Sequence, residues 1–355
     1  MRLDLLSKIL LSPLSALYAL SVGARNLLYD SGLLKSTRFN IPVINVGNLS
    51  VGGAGKTPHV EYLATLLEEY LNVSILSRGY KRKSKGFKII NTHNDAHFAG
   101  DEPLQYKRKY PALRIAVSES RALGIPQLLK THPEINVVLL DDAFQHRSVT
   151  ADLNVLLTPQ NDLFIDDMLL PAGRLREFKS AYKRAHILIV TKCDNDLQDH
   201  EQQAISSQLN LLSHQKIFFS KYVYGQPYFV FNGSQRVQSL KGAHVILISA
   251  IANTDYLLQH LNKEAASINA LTYEDHHYFS DRDMQYLKKV YDHSEKDNTL
   301  IITTEKDAIR LELQKQFIIR NKLPIFALPV KVDFLFDGKE SFDRSVKDFL
   351  LNYKV

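Results

Sequence analysis

The sequence predicts an α/β protein: a mostly parallel sheet with helices on both faces, a smaller C-terminal α/β unit, and an apolar helix at the N-terminus. Three observations carry this. Short Val/Ile/Leu-rich runs recur along the chain, and helical patterns separate several of them. A glycine-rich loop links the first such run to a helix. The first 36 residues stand apart, with a long uncharged stretch.

That first segment contains one uncharged run, 9–24, interrupted by Pro13. Sixteen residues are short for a span of about 20, and Asp4 dilutes the positive n-region a signal peptide needs. Apolar residues continue past Arg25 into Leu27, Leu28, Leu33 and Leu34, flanked by Arg2, Lys8, Arg25, Lys35 and Arg38. The pattern suits a partly amphipathic helix lying in a membrane interface. Docking on the protein's own core is the alternative. Domain limits of 1–36, 37–228 and 229–355 are expected.

Apolar runs at 41–46, 72–76, 113–117, 136–140, 153–157, 186–190 and 216–219 read as buried strands, with helical patterns at 57–70 and 119–131. Near-continuous aliphatic strands alternating with helices imply a parallel sheet covered on both faces. The stretch 227–234, PYFVFNGS, has aromatic strand character and a turn, and marks the junction. The scheme restarts at 244–249, with a helix near 253–264 and strands near 299–303 and 324–329. The chain has 355 residues, a net charge of +6 and a single cysteine, Cys193. An intrachain disulfide framework is therefore excluded, and the positive excess suits anionic partners.

The loop after 41–46 reads GNLSVGGAGKT. Strand, glycine-rich loop, Lys-Thr and helix are in register for a phosphate loop, whose backbone N–H groups converge on phosphate oxygens at a helix N-terminus. The nucleotide-binding candidates are Ser50, Val51, Gly52, Gly53, Ala54, Gly55, Lys56 and Thr57. Lys56 would reach the β- and γ-phosphates, and Thr57 would ligate Mg²⁺. Ser50 stands where G-x-x-x-x-G-K-[ST] wants its first glycine. The run NVVLLDD ends in Asp141 and Asp142 at the sheet edge where ligands bind, as metal-side carboxylates. Thr-Lys-Cys-Asp at 191–194 resembles the guanine-reading element of GTPases, and keeps open a GTPase or ATPase switch protein in membrane-associated assembly or targeting. A membrane-bound nucleotide sensor is a third class.

Eight stretches in order, VGNLSVGGAGKTP, LSRGY, AGDEP, LLDDAFQHR, LPAGRLRE, VTKCD, EDHHYF and TTEKDAIRL, make the chain resemble the tetraacyldisaccharide 4'-kinase family of lipid A synthesis. The likeness runs from the N-terminal helix to about residue 311. The family loop carries Thr or Ser where this chain has Ser50, whereas Ala143 replaces an expected glycine. The resemblance implies a P-loop-type kinase. It would move the γ-phosphate of ATP, with Mg²⁺, to the 4'-hydroxyl of a tetraacyldisaccharide 1-phosphate, forming lipid IVA. It implies Asp101 as the base, paired across the domain interface with His276 or, less directly, His277. Arg78, Arg174 and Arg176 would meet the substrate phosphate. The expected partners are the lipid disaccharide 1-phosphate and the membrane surface, with no nucleic acid and no protein partner. The expected place is the cytoplasmic face of the bacterial inner membrane.

Overall fold

A computed structural model describes residues 4–295 and 298–354; Arg2, one of the expected flanking charges, and Val355 lie outside the described residues. Among the described residues, nine strands form one sheet and six a second. In the first, the spatial order is Val330–Phe334, Lys216–Tyr224, Ile187–Thr191, Leu153–Pro159, Val43–Asn48, Val137–Asp141, Val73–Ser77, Arg114–Val117 and Lys88–Ile90. The inner neighbours pair in parallel, and the two edge strands are antiparallel. Val43–Asn48, Val73–Ser77 and Val137–Asp141 are buried throughout, which is why they read as aliphatic runs rather than alternating ones.

Val137–Asp141 and Leu153–Pro159 follow each other in sequence yet flank Val43–Asn48 on opposite sides. The connections therefore diverge at the carboxyl end of that central strand, the kind of crevice where α/β sheets bind ligands. The phosphate-loop sequence leaves the sheet there. Gly47 on this strand is required for close packing: a Cβ would sit 2.7 Å from that of Phe144.

The second sheet has the order Asn232–Arg236, Tyr228–Phe229, Ile325–Leu328, Thr299–Thr304, His244–Ser249 and Ser267–Thr272. The expected limit of 229–355 for a C-terminal unit does not describe it. After Leu328 the chain crosses back, and Val330–Phe334 pairs with Lys216–Tyr224 in the first sheet. Phe342 and Val346 of the terminal helix Gly338–Leu351 then pack in that sheet's core.

The N-terminal helix runs Leu5–Asp30 straight through Pro13. Proline cannot bond the carbonyl four residues back; the Ser12 hydroxyl donates to that carbonyl, on Ile9, at 2.7 Å instead. One face docks on the protein through Ser15, Tyr18 and Val22. The opposite stripe, Leu6, Leu10, Leu14, Leu17, Leu20 and Leu27, is 54–79% exposed.

The helix that follows the glycine-rich loop, Lys56–Glu68, buries His59 near its start. The Gly55 carbonyl can only accept, so Nδ1 of His59 donates to it at 2.7 Å, leaving Nε2 to accept from the Ser220 hydroxyl at 3.0 Å. Burial pushes His59 down from 6.5 to about 4. An unfolded chain thus takes up a proton that the fold refuses. Stability from this group is complete above about pH 6.5 and falls as pH drops toward 4, by on the order of 3 kcal/mol. Thermal midpoints between pH 7 and 4.5 should show that loss, and His59→Gln should flatten part of the slope. An unchanged slope in the variant would remove His59 from the account.

Candidate nucleotide and phosphoryl-transfer site

A cleft of about 840 Å³ lies between the two sheets, walled by the glycine-rich loop on one side and by residues 251–257, His276 and Lys306 on the other. The loop is shaped by its neighbours. The Asn48 amide donates to the Ser50 carbonyl at 2.6 Å, Thr191 to that of Ala54 at 2.9 Å, and the Val51 N–H to that of Arg174 at 2.8 Å. Gly52 and Gly55 have φ of 118° and 88°, and a Cβ on Gly55 would lie 2.6 Å from the Tyr222 hydroxyl. Ser50 forms a β-bridge to Leu175 and is not among the left-handed residues, so a glycine is not needed there. The same holds for Ala143, whose N–H donates to the Asn45 side chain at 3.2 Å while the left-handed turn falls on Asp142.

Lys56 enters the loop's concave side. Its ammonium donates to Asn48 Oδ1 at 3.1 Å and stands 3.7 Å from Asp142. Arg176 grips both Asp142 oxygens at 2.9 and 2.8 Å and donates to the Asn48 carbonyl at 2.8 Å. Burial would raise the Asp142 carboxyl, but Lys56 and Arg176 hold it well below the usual range. Asp141 differs. It is 1% exposed; one oxygen accepts from Ser77 at 3.2 Å, and the other, Oδ1, has no hydrogen-bond partner. Burial, with Glu102 and Asp142 nearby, pushes it up to about 7.

These observations test the expected Mg²⁺ site. A buried carboxylate oxygen with no partner, beside a threonine at a phosphate loop, fits a hard cation. The described residues hold no cluster of three His, Cys, Asp or Glu, and Mg²⁺ characteristically takes one or two carboxylates and completes its shell with waters and phosphate oxygens. Both Asp142 oxygens accept from the Arg176 fork, whereas Asp141 Oδ1 has no hydrogen-bond partner. Asp141 and Thr57 fit the metal, and Asp142, which also lines the cleft, pairs with Lys56 and Arg176.

The arginines divide too. Arg174 pairs with Asp162 and, at 3.0 Å, Asp167, and does not line the cleft. Its expected phosphate contact is not supported. Arg176 lines the cleft, with its guanidinium bonded to Asp142 and Asn48. Arg78 lines the cleft with its residue exposed.

Asp101 opens the helix Asp101–Lys109 and is 2% exposed. Its Oδ2 meets His276 Nδ1 at 2.8 Å, with Arg310 at 3.6 Å and Lys306 at 3.9 Å. Burial alone would raise this carboxyl; Lys306, His276 and Arg310 hold it well below the usual range. His276 sits at φ 61° and packs edge-on to Tyr80 with centroids 4.9 Å apart. His277 turns away to Asp283 at 2.9 Å, so the pairing falls to His276. Lys306 and Glu102, paired at 3.0 Å, and Arg121, which holds the Asp141 carbonyl at 3.0 Å, escaped the sequence reading. Their stretches were recognisable, but nothing local marks a lysine or arginine as facing a carboxylate far along the chain.

The Thr-Lys-Cys-Asp stretch serves the loop. Thr191 holds Ala54, and Lys192 lies 5.1 Å from the centroid of the Tyr256 ring, with burial pushing it down to about 8. Asp194 bonds Gln160 twice, accepting at 3.2 Å and donating its N–H at 3.0 Å, and does not line the cleft.

The family model for tetraacyldisaccharide-1-P 4'-kinase matches residues 7–350. A tetraacyldisaccharide 4'-kinase of Bacteroides fragilis is 43% identical over 343 residues, covering 95% of this chain and 91% of the relative. One from Flavobacterium johnsoniae is 40% identical over 348 residues, covering 98% of each. A crystal structure of LpxK from Aquifex aeolicus, described as an "apo" form in complex with ATP, superposes with a TM-score of 0.73 at 31% identity. It covers 97% of this chain and 99% of that one.

Two outcomes follow from the geometry. Lys56→Ala should leave less than about a tenth of nucleotide turnover, since Lys56 is the cation this helix brings into the cleft; higher turnover would displace Lys56 from the phosphates. Asp194→Ala should leave relative affinities for ATP and GTP unchanged. A preference for GTP that vanishes in this variant would restore the guanine-reading role.

Proposed function

The chain belongs to the tetraacyldisaccharide-1-P 4'-kinase family, and from that premise we propose how its residues divide the work of phosphoryl transfer. The protein transfers the γ-phosphoryl group of ATP to the 4'-hydroxyl of a tetraacyldisaccharide 1-phosphate. The observation that carries the assignment of roles is the Asp101–His276 pair, formed across the cleft from the phosphate loop's own lysine.

In this reading the Ser50–Thr57 loop cradles the triphosphate, and Lys56 offsets charge on its terminal oxygens. Thr57 and Asp141 would hold Mg²⁺, which would supply charge neutralisation for the triphosphate. Asp142 keeps Lys56 and Arg176 in place. Asp101 is held ionised in a dry setting, the charge state that can accept the proton of the sugar hydroxyl as the O–P bond forms, and the same cations lower its basicity. His276 donates to Asp101 from Nδ1 and fixes the carboxylate's direction. Arg78, exposed in the cleft, is the arginine we assign to the anionic substrate.

The exposed leucine stripe of Leu5–Asp30 suits acyl chains and the membrane surface. Its opposite face is bonded to the protein, so the helix rests in the interface rather than spanning. ATP is a cytoplasmic reagent, which puts the working face on the cytoplasmic side of the inner membrane.

Radiolabelled ATP and a detergent-dispersed lipid A precursor should give a labelled lipid; a label only on inorganic phosphate would overturn the acceptor. Asp101→Ala should lower kcat by about 10²–10⁴-fold, and His276→Ala by less. The double variant should lose far less than the product, since such groups act as a unit; multiplicative losses would separate them. ATP affinity should change by no more than a few-fold, and a large loss in Asp101→Ala would move that carboxylate to the metal side. Anionic vesicles should pellet the protein better than neutral ones, and Leu10→Glu with Leu17→Glu should abolish binding to both. Unchanged pelleting would clear the stripe of a membrane role.

A further inference from the structure

Away from the triphosphate and acceptor positions, a second buried charge cluster ties the two sheets together. Lys109 ends the helix that Asp101 begins. Its ammonium donates to Glu61 at 2.7 Å and to Glu305 at 2.9 Å. Glu61 lies on the helix behind the phosphate loop and is 4% exposed; Glu305 opens the helix Glu305–Leu311 of the second unit and is 6% exposed. One cation thus joins carboxylates from both sides of the cleft.

Each carboxylate has further fixings. Glu61 accepts from the Gln105 amide at 2.9 Å. Glu305 accepts from the Val330 N–H at 3.3 Å and from the Tyr228 hydroxyl at 3.4 Å. Tyr228 and Val330 stand where the chain enters the second sheet and where it leaves it. Glu305 is therefore fastened to both crossings. The next residue is Lys306, which faces Asp101 and Glu102, and one turn further on is Arg310, which also faces Asp101. Arg108 adds a bidentate pair to Glu312 at 3.0 and 2.6 Å along the same seam.

We propose that Lys109 is a positioning residue for the transfer step: by tying Glu61 to Glu305 it holds the cations of Glu305–Leu311 against Asp101 and keeps the cleft closed to water. This rests on Asp101 being the base. The physical argument is one of leverage. The two helices pack together, and neighbouring residues of one reach both ends of the other: Glu305 meets Lys109, and Lys306 meets Asp101. Lys109 and Asp101 sit at opposite ends of one of them, eight residues and so about 12 Å apart. A hinge fastened at one end limits tilt at the other, and a displacement of about 1 Å at the reacting end costs roughly 10²-fold in rate. The competing account is that Lys109 merely offsets two buried carboxylates. Burial, opposed by Lys109 and reinforced by Glu305, already pushes Glu61 up to about 7, so a neutral Glu61 is within easy reach of the fold.

The test uses the full-length protein, ATP and a detergent-dispersed tetraacyldisaccharide 1-phosphate. Lys109→Met should lower kcat for transfer by about 10–100-fold with KM for ATP within about threefold. The ratio of acceptor-independent ATP hydrolysis to transfer should rise at least about tenfold, as water enters an open cleft. Lys109→Met with Glu61→Gln removes one buried charge along with the cation. It should regain thermal stability and keep the kinetic defect, while Lys109→Arg should keep the wild-type ratio. If the double variant recovers kcat together with its melting temperature, Lys109 only balances charge and the proposal falls. It falls equally if Lys109→Met transfers at a normal rate. Asp101→Asn, assayed alongside, separates the two readings. Retained transfer there removes the base itself, whereas loss there with a normal Lys109→Met removes only the tie.

Discussion

The site depends on one costly arrangement, an ionised carboxylate with almost no access to water. Desolvation opposes charge on a buried acid by several kcal/mol, and Asp101 is 2% exposed. It stays charged because His276, Lys306 and Arg310 converge on one of its oxygens. None of the three comes from its own sheet. On the roles proposed above, groups of the second unit orient the base, so the packing of that unit against the first is part of the site. An open enzyme would carry a hydrated Asp101 with no cations to define its direction.

The phosphate loop follows the same logic with opposite sign. Lys56 and Arg176 are two cations side by side, and Asp142 lies between them with Asn48 as a shared acceptor. The carboxylate's task is spacing. Asp141, one residue earlier, points into the buried side of the strand and keeps an oxygen free. The strand ends at Asp141, and the left-handed turn at Asp142 sets the next carboxylate against the Arg176 fork. Sequence alone assigned both to metal, because two aspartates at a strand end look alike until their neighbours are known.

How much was legible depends on whether the signal was local. The aliphatic runs at 72–76, 136–140 and 186–190 fall within a residue or two of the observed strands, since burial on both faces leaves only one kind of side chain acceptable. The glycine-rich loop was legible because left-handed backbone at Gly52 and Gly55 demands that residue. Ser267–Thr272 was not: it is a mostly exposed edge strand with no apolar run to betray it. Nor was the return of Val330–Phe334 to the first sheet, because nothing in VKVDF says which sheet it will join. The partners of the arginines of LPAGRLRE were hidden for a third reason. A guanidinium is equally suited to a phosphate and to a carboxylate, and only the fold supplied Asp162, Asp167 and Asp142 as partners. Lys109 belongs with them, in a run of KRK that reads as a solvated helix end.

The N-terminal helix bears on the chemistry as well as on location. A tether would need only a flexible link, yet this helix is bonded into the wall of the site. Ser15 donates to the Leu169 carbonyl at 3.2 Å and accepts from the Ala172 N–H at 2.9 Å. Tyr18 donates to the Arg176 carbonyl at 2.9 Å. Arg25 stands 3.8 Å from the fully buried Glu177, which Arg184 also holds at 2.7 Å. The segment that carries the arginine on Asp142 is thus clamped between the helix and the phosphate loop, where Val51 and Leu49 bond residues 174 and 176. On the membrane reading proposed above, the leucine stripe fixes the helix in the interface, and these bonds fix the cleft to the helix. A sugar head attached to acyl chains then meets Asp101 at a set height and angle. The acceptor surrenders its orientational freedom to the bilayer before it reaches the triphosphate, and the kinase has that much less entropy to supply itself.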